Sequence, residues 1–122
     1  MAQTTISHPD LSGQDIAALA GQARKASDIL KALSHETRLM ILWLLSQEER
    51  SVSELEELLS LPQAAVSQQL ARLRFDRLVT ARRTGRTIHY SISNTEISAL
   101  VANMYELLCA TGEDSGNWQG GR

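Results

Sequence analysis

The chain has 122 residues, a net charge of −2, 43% hydrophobic residues and one cysteine, Cys109. That length fits one domain, and a single thiol excludes an intrachain disulfide and leads us to expect the reducing cytoplasm. Aromatic residues make up only 4%, too few to build a stacking platform for single-stranded bases.

The chain opens on a polar stretch, residues 1–13, with Pro9 and Gly13, expected to be a flexible arm. MAQTTISHPDLSGQ has neither a basic start nor an apolar run, so no secretory signal is expected. From Gln14 onward, Ile16, Leu19, Ala20, Ala23, Ala26, Ile29, Leu30 and Leu33 recur at spacings of three and four, the face of an amphipathic helix. A second helix is predicted over about Glu36–Ser46, with Ser34 as its N-cap. It is apolar nearly all round (LMILWLL), as the buried centre of a domain would be. Those seven residues are the longest apolar run, against roughly 20 needed to cross a bilayer, so no membrane partner is expected.

Gln47 to Arg50 reads as a charged turn, and Ser53 with Glu56 as the capping box of a third helix whose Leu55, Leu58 and Leu59 face inward. Leu61-Pro62 stops that helix and starts the next. Over Gln63–Arg77, Ala65, Val66, Leu70 and Leu73 point inward, leaving Gln63, Ser67, Gln68, Ala71, Arg72 and Arg74 outside. Two helices joined by a short turn, the second polar on its outer face, describe a helix-turn-helix. Leu78–Arg83 and Thr87–Ile92, joined by Thr84-Gly85-Arg86, give a β-hairpin signal. A last helix over Thr95–Ala110 carries Ile97, Leu100, Val101, Met104, Leu107 and Leu108 along one stripe. The Gly-rich tail, 112–122, is expected to be disordered. The fold class expected is mainly α with a small β-hairpin, a winged helix-turn-helix over residues 14–111.

Charge is sorted along this order. From Pro62 to Ile92 there are six arginines and one acid, 6 − 1 = +5, so the rest of the chain carries −7. A basic helix and hairpin on an acidic protein is the footprint of a DNA-binding surface. Gln63, Ser67, Gln68 and Gln69 are candidates for base edges, since Gln pairs bidentately with adenine and Ser bonds several bases. Arg72 and Arg74 are candidates for phosphate. Arg82, Arg83 and Arg86 flank a tight turn, from which they can reach sugar-phosphate or the minor groove. His89 and Tyr90 are adjacent in one strand and point to opposite faces, Tyr90 to the core and His89 toward phosphate. The first and last helices carry more apolar stripe than a small winged domain can cover, which implies packing across a twofold axis. Two recognition helices would then read an inverted repeat, with half-sites about 34–36 Å apart.

No enzyme is indicated: there is no phosphate-binding glycine loop, nucleophile motif or metal box, and Glu56 and Glu57 diverge on their helix. His8, His35 and His89 show no metal-ligand spacing, and His35 reads as a structural helix start.

Three segments carry a resemblance: LSHETRLMILWLL, SVSELEELLSLPQAAVSQQLARLRFDRLV and TARRTGRTIHYSI. Together with the final helix they resemble the ArsR/SmtB family of winged helix-turn-helix repressors over about residues 14–111. The resemblance implies a homodimeric repressor that binds double-stranded DNA at an inverted-repeat operator and is released by an inducer. The details are most similar to the sulfide- and persulfide-sensing branch (BigR- and SqrR-like), which uses one cysteine on the second helix and one near the end of the last. Cys109 in YELLCAT matches the late position, and Trp43 stands at the early one. The family's metal boxes are not matched: SVSELEEL has no cysteine, and the last helix has Glu96 and Glu106 but no histidine. Cys109 is thus the candidate sensing residue, by persulfidation, a mixed disulfide, an intersubunit bridge or haem ligation. Two alternatives remain, a winged-helix protein-interaction module and a constitutive regulator without an inducer.

Overall fold

The computed structural model describes residues 12–110, so the expected arm up to Leu11 and the expected disordered tail lie outside the described residues. Five helices and a small sheet follow one another as α1 Gly13–Leu33, α2 Glu36–Gln47, β1 Arg50–Ser51, α3 Val52–Leu59, α4 Gln63–Phe75, β2 Val79–Thr84, β3 Thr87–Ile92 and α5 Thr95–Ala110. Among the described residues no helix is long and apolar enough to cross a membrane.

The chain divides into two units between Lys31 and Ala32. In the first, α1 begins on a reciprocal cap, in which the Asp15 N–H donates to Ser12 Oγ and the Ser12 N–H to Asp15 Oδ2, both at 3.2 Å. Of its apolar face, Ile16, Leu19 and Leu30 are exposed.

The second unit holds the core. Ile41 and Leu42 of α2, Leu55 of α3, Val66, Leu70 and Leu73 of α4, Val79 of β2 and Val101 of α5 are all buried. Helix α2 supplies Ile41, Leu42 and Leu45 and packs against α4, α5 and β3, the central position its all-round apolar sequence demands. The Trp43 indole N–H donates to the Val101 carbonyl at 2.9 Å, fastening α2 to α5.

The helix ends depart from expectation in three places. His35, rather than Ser34, caps α2: its Nδ1 accepts the Thr37 N–H at 3.2 Å from an extended backbone. The run SVSELE contains two overlapping S-x-x-E boxes, and α3 uses the first. Ser51 Oγ accepts from the Glu54 N–H at 3.2 Å, and Glu54 Oε1 accepts from the Ser51 N–H at 2.8 Å. The reason is long-range, because Arg50 and Ser51 pair with Tyr90 and His89. Those pairs hold the chain extended up to Ser51, and the helix can start only after it. The expected charged turn therefore ends in a strand, making the hairpin a three-stranded antiparallel sheet of order β1-β3-β2.

The third departure is at α4, which stops at Phe75 and not at Arg77. Arg77 takes a left-handed φ of 62°. Its N–H donates to the Arg74 carbonyl, and the Leu78 N–H reaches back to Leu73 at 2.9 Å. That is a Schellman ending with arginine where glycine is commoner, and it drops Leu78 and Val79 into the core at the start of β2. Thr84 pairs with Thr87, so the hairpin loop is the two residues Gly85-Arg86, and Gly85 supplies the φ of +64° that the turn requires.

Candidate nucleic-acid interface

The polar face of α4 is laid bare because its opposite face is consumed by Val66, Leu70 and Leu73. Gln63, Gln68, Arg72 and Arg74 are exposed, and Ser67 is half-buried. Arg72 donates from Nε to Asp76 Oδ2 at 3.0 Å, a pair one turn apart on the helix. Gln69 departs from this face. It is half-buried, and its Oε1 accepts from Arg38 at 3.0 Å, while the same guanidinium donates to the Ala32 carbonyl at 2.7 Å. A side chain so engaged joins α4 to α2 rather than presenting itself to a base edge.

In the hairpin the strand alternation separates two adjacent arginines. On β2, Val79 is buried and Ala81 half-buried, with Arg83 on the same side nearer the tip. Arg82 points the other way, with Thr80 and Thr84. There it is held by Glu49, whose Oε2 and Oε1 accept from its Nε and Nη2 at 3.1 and 2.5 Å, while its Nη1 donates to Thr84 Oγ1 at 2.6 Å. This fork-to-fork pairing holds the Glu49 carboxyl below the usual carboxylate range, chiefly through the hydrogen bond from Arg82. Arg83 and Arg86 are exposed and have no side-chain partner among the described residues. Among the described residues the hairpin thus offers two unpaired guanidinia and one neutralised by an acid 33 residues away.

His89 faces Arg82 and Ser51 across the sheet, and its Nδ1 is buried without a hydrogen-bond partner among the described residues. Tyr90 is half-buried on the opposite face, beside Ala81. Neither Glu49 nor this arrangement was legible in the sequence, where Glu49 was only part of a charged turn.

Cys109 is exposed on the last turn of α5. One turn earlier on the same helix is Tyr105, whose phenol pKa is raised chiefly by the neighbouring Cys109. The Tyr105 ring meets Trp43 edge-on, with centroids 5.3 Å apart and planes at 66°. Where the resemblance places two thiols, this chain has an indole, a phenol and one thiol in succession. Among the described residues no three His, Cys, Asp or Glu side chains are grouped to hold a metal ion.

A half-bare, glutamine-bearing helix preceded by a short helix and followed by a basic hairpin is the class of a winged helix-turn-helix DNA-binding domain. The family described as "Bacterial regulatory protein, arsR family" matches residues 35–81. The "Transcriptional activator HlyU" of Vibrio cholerae is 45% identical over 85 residues, covering 70% of this chain and 79% of that protein. The solved structure of reduced HlyU superposes with a TM-score of 0.72 at 41% identity, over 75% of this chain and 97% of that one. The "Biofilm growth-associated repressor" of Agrobacterium fabrum is 33% identical over 115 residues, 93% of this chain and 98% of that protein. A homodimeric winged helix-turn-helix DNA-binding domain from Mycobacterium bovis matches with a TM-score of 0.65 and 28% identity, over 85% of this chain and 92% of that one. The chain belongs to the ArsR family of bacterial transcriptional regulators, and that family's members are regulators and not enzymes.

Proposed function

We propose that this regulator is a homodimeric, cytoplasmic repressor that binds an inverted-repeat operator in double-stranded DNA and is released by a signal acting at α5. The observation that carries the reading is the pairing of the exposed polar face of α4 with two wing arginines, Arg83 and Arg86, that have no side-chain partner among the described residues. Gln63, Ser67 and Gln68 meet base edges, Arg74 and Arg72 hold phosphate, and Arg83 and Arg86 reach the backbone beside the major groove. Gln69 and Arg82, engaged within the fold, are assigned supporting parts.

The dimer is supported by the apolar surface that α5 presents. Ile97 and Val101 are buried, whereas Leu100, Leu107 and Leu108 of the same helix are 44%, 69% and 55% exposed. A contiguous apolar stripe of that kind marks an interface, and a second copy of the chain covers it in a twofold dimer. One of the relatives is named an activator and another a repressor. We assign repression because a small domain seated on promoter DNA acts most simply by occluding it.

Selection of duplexes from a random pool by the full chain tests this reading. The expected result is an inverted repeat, with half-sites about one helical turn apart and two chains bound per duplex. Enrichment of a single half-site bound by one chain, or no enrichment, contradicts it.

The exposure of Cys109 favours a second element, the signal itself. Its thiolate can attack a terminal sulfur of an inorganic polysulfide, forming Cys–S–S⁻ as the polysulfide S–S bond breaks and a shorter polysulfide leaves. Without a partner thiol on α2 the reaction ends at the persulfide within one subunit. Polysulfide is expected to release DNA from the native chain and not from Cys109→Ser; equal behaviour of the two removes Cys109 from the signal path.

A further inference from the structure

Between α2, α3 and α5 lies a cavity of about 490 Å³, within the roughly 300–1,000 Å³ typical of small-molecule sites. Its walls are mostly apolar, Met40, Leu58 and Ala102 among them, with Ser46 and Gln47 also present, but two aromatic rings and one carboxylate set its character. Trp43 and Tyr105, which meet edge to face at 66°, both line it. The indole N–H is already spent on the Val101 carbonyl, so Trp43 offers the cavity ring rather than donor. Glu106 is the only charged side chain among the lining residues. Ring faces attract cations through their quadrupole, and a carboxylate with no cation beside it among the lining residues adds to that attraction while repelling anions.

The partner's apolar stripe is not the natural occupant. Ala102, Tyr105 and Glu106 lie roughly half a turn round α5 from Leu100 and Leu107, so the cavity faces away from those two leucines, with Leu108 about 60° from Tyr105 at its near edge. We propose that the cavity is a binding site for a small aromatic organic cation, its ring system between Met40, Leu58 and Trp43 and its positive charge against Glu106 and the Tyr105 ring. Such a ligand touches α3, the first helix of the helix-turn-helix, and α5 at once. Any effect on DNA therefore rests on the DNA-binding reading, while occupancy does not.

Three naphthalene probes of matching shape decide the matter: 1-naphthylmethylamine, a cation at neutral pH, the uncharged 1-naphthalenemethanol, and the anionic 1-naphthoate. Calorimetric titration of the full chain, without DNA, is expected to show the amine saturating one site per chain, about tenfold tighter than the naphthoate, with the alcohol between. Glu106→Gln, at an exposed position, brings the amine down to the level of the alcohol. Ala102→Trp fills the cavity and removes binding of all three; if that variant fails to melt cooperatively, Glu106→Gln carries the test. No saturable binding by the amine, equal binding of amine and naphthoate, or a Glu106→Gln variant with unchanged preference overturns the proposal. Because no DNA is present, each of these results leaves the DNA-binding reading untouched.

Discussion

Helix α4 with its terminal turn and the β2–β3 hairpin each bring three arginines: Arg72, Arg74 and Arg77, then Arg82, Arg83 and Arg86. In each set one arginine is paired with a carboxylate. On α4 the partner is Asp76, four residues on, within one helical turn. On the hairpin it is Glu49, brought in by the chain that leads into β1. The first pair is exposed, bonded through one nitrogen and worth a few tenths of a kcal/mol at most. The second is bidentate, and its guanidinium is further fixed by a hydrogen bond to Thr84. Equal numbers of arginines therefore do not mean equal charge available to DNA. Phosphate meets little competition for its place on α4, whereas it must displace a matched fork on the outer face of the wing.

The comparison can be broken at several points. The largest effect is expected from inside α4. Leu70 is 1% exposed, and Leu70→Ala should lower unfolding free energy by about 2–5 kcal/mol in chemical denaturation, because the cavity it leaves cannot collapse between α2, α3 and the sheet. A loss below about 1 kcal/mol would mean that the polar face of α4 is not held in place by the core behind it.

Next in size are the two free arginines of the wing. Arg83→Ala with Arg86→Ala should flatten the plot of log affinity against log salt by about 1.8, roughly 0.9 for each phosphate no longer neutralised. Arg82→Ala alone should change that slope by less than either single variant. A larger slope change for Arg82 than for Arg83 would show that the Glu49 pair opens freely on DNA and that the strand alternation does not divide the two roles.

A smaller change is expected where the sheet meets α3. Ser51→Ala removes an N-cap whose oxygen accepts the Glu54 N–H, and should cost about 1 kcal/mol on melting. Ser53→Ala, the equivalent substitution in the overlapping box, should be close to neutral. The reverse ranking would move the start of α3.

Least in energy but sharpest in assignment is the titration of Glu49. Its folded pKa is depressed by Arg82, so the stability the pair lends is present above the ordinary carboxylate pKa and is lost as pH falls through the lower folded value. Carboxyl NMR should find Glu49 titrating below the usual range, and Arg82→Ala should return it to that range. An unshifted Glu49 in the native chain would dissolve the pair in solution.

Much of this architecture could be read from residues in order. The spacing of Val66, Leu70 and Leu73 placed α4 with its polar face outward, and Thr87–Ile92 and Thr95–Ala110 were bounded correctly because β-branched runs and a three-four stripe are local signals. What could not be read was decided by residues far apart. Two S-x-x-E boxes overlap in SVSELE, and only the pairing of Ser51 with His89 selects between them. Gln69 looks like its neighbours Gln63 and Gln68 until Arg38, 31 residues earlier, claims it. Arg82 and Arg83 are indistinguishable as letters, and they part company through strand alternation and the position of Glu49. Leu107 and Leu108 belonged to a clean stripe, yet only the fold shows that Ile97 and Val101 take the core and leave them exposed.

The most direct test of the account is the sequence preference of the α4 face. A chain with Gln63→Ala, Ser67→Ala and Gln68→Ala should melt as the native protein does and bind a scrambled duplex with unchanged affinity and salt slope, since its arginines remain. It should lose the preference for the duplex selected by the native chain, at about 1–3 kcal/mol for each base no longer read. Preference retained in full by the triple variant would contradict the assignment of α4 as the helix that reads DNA.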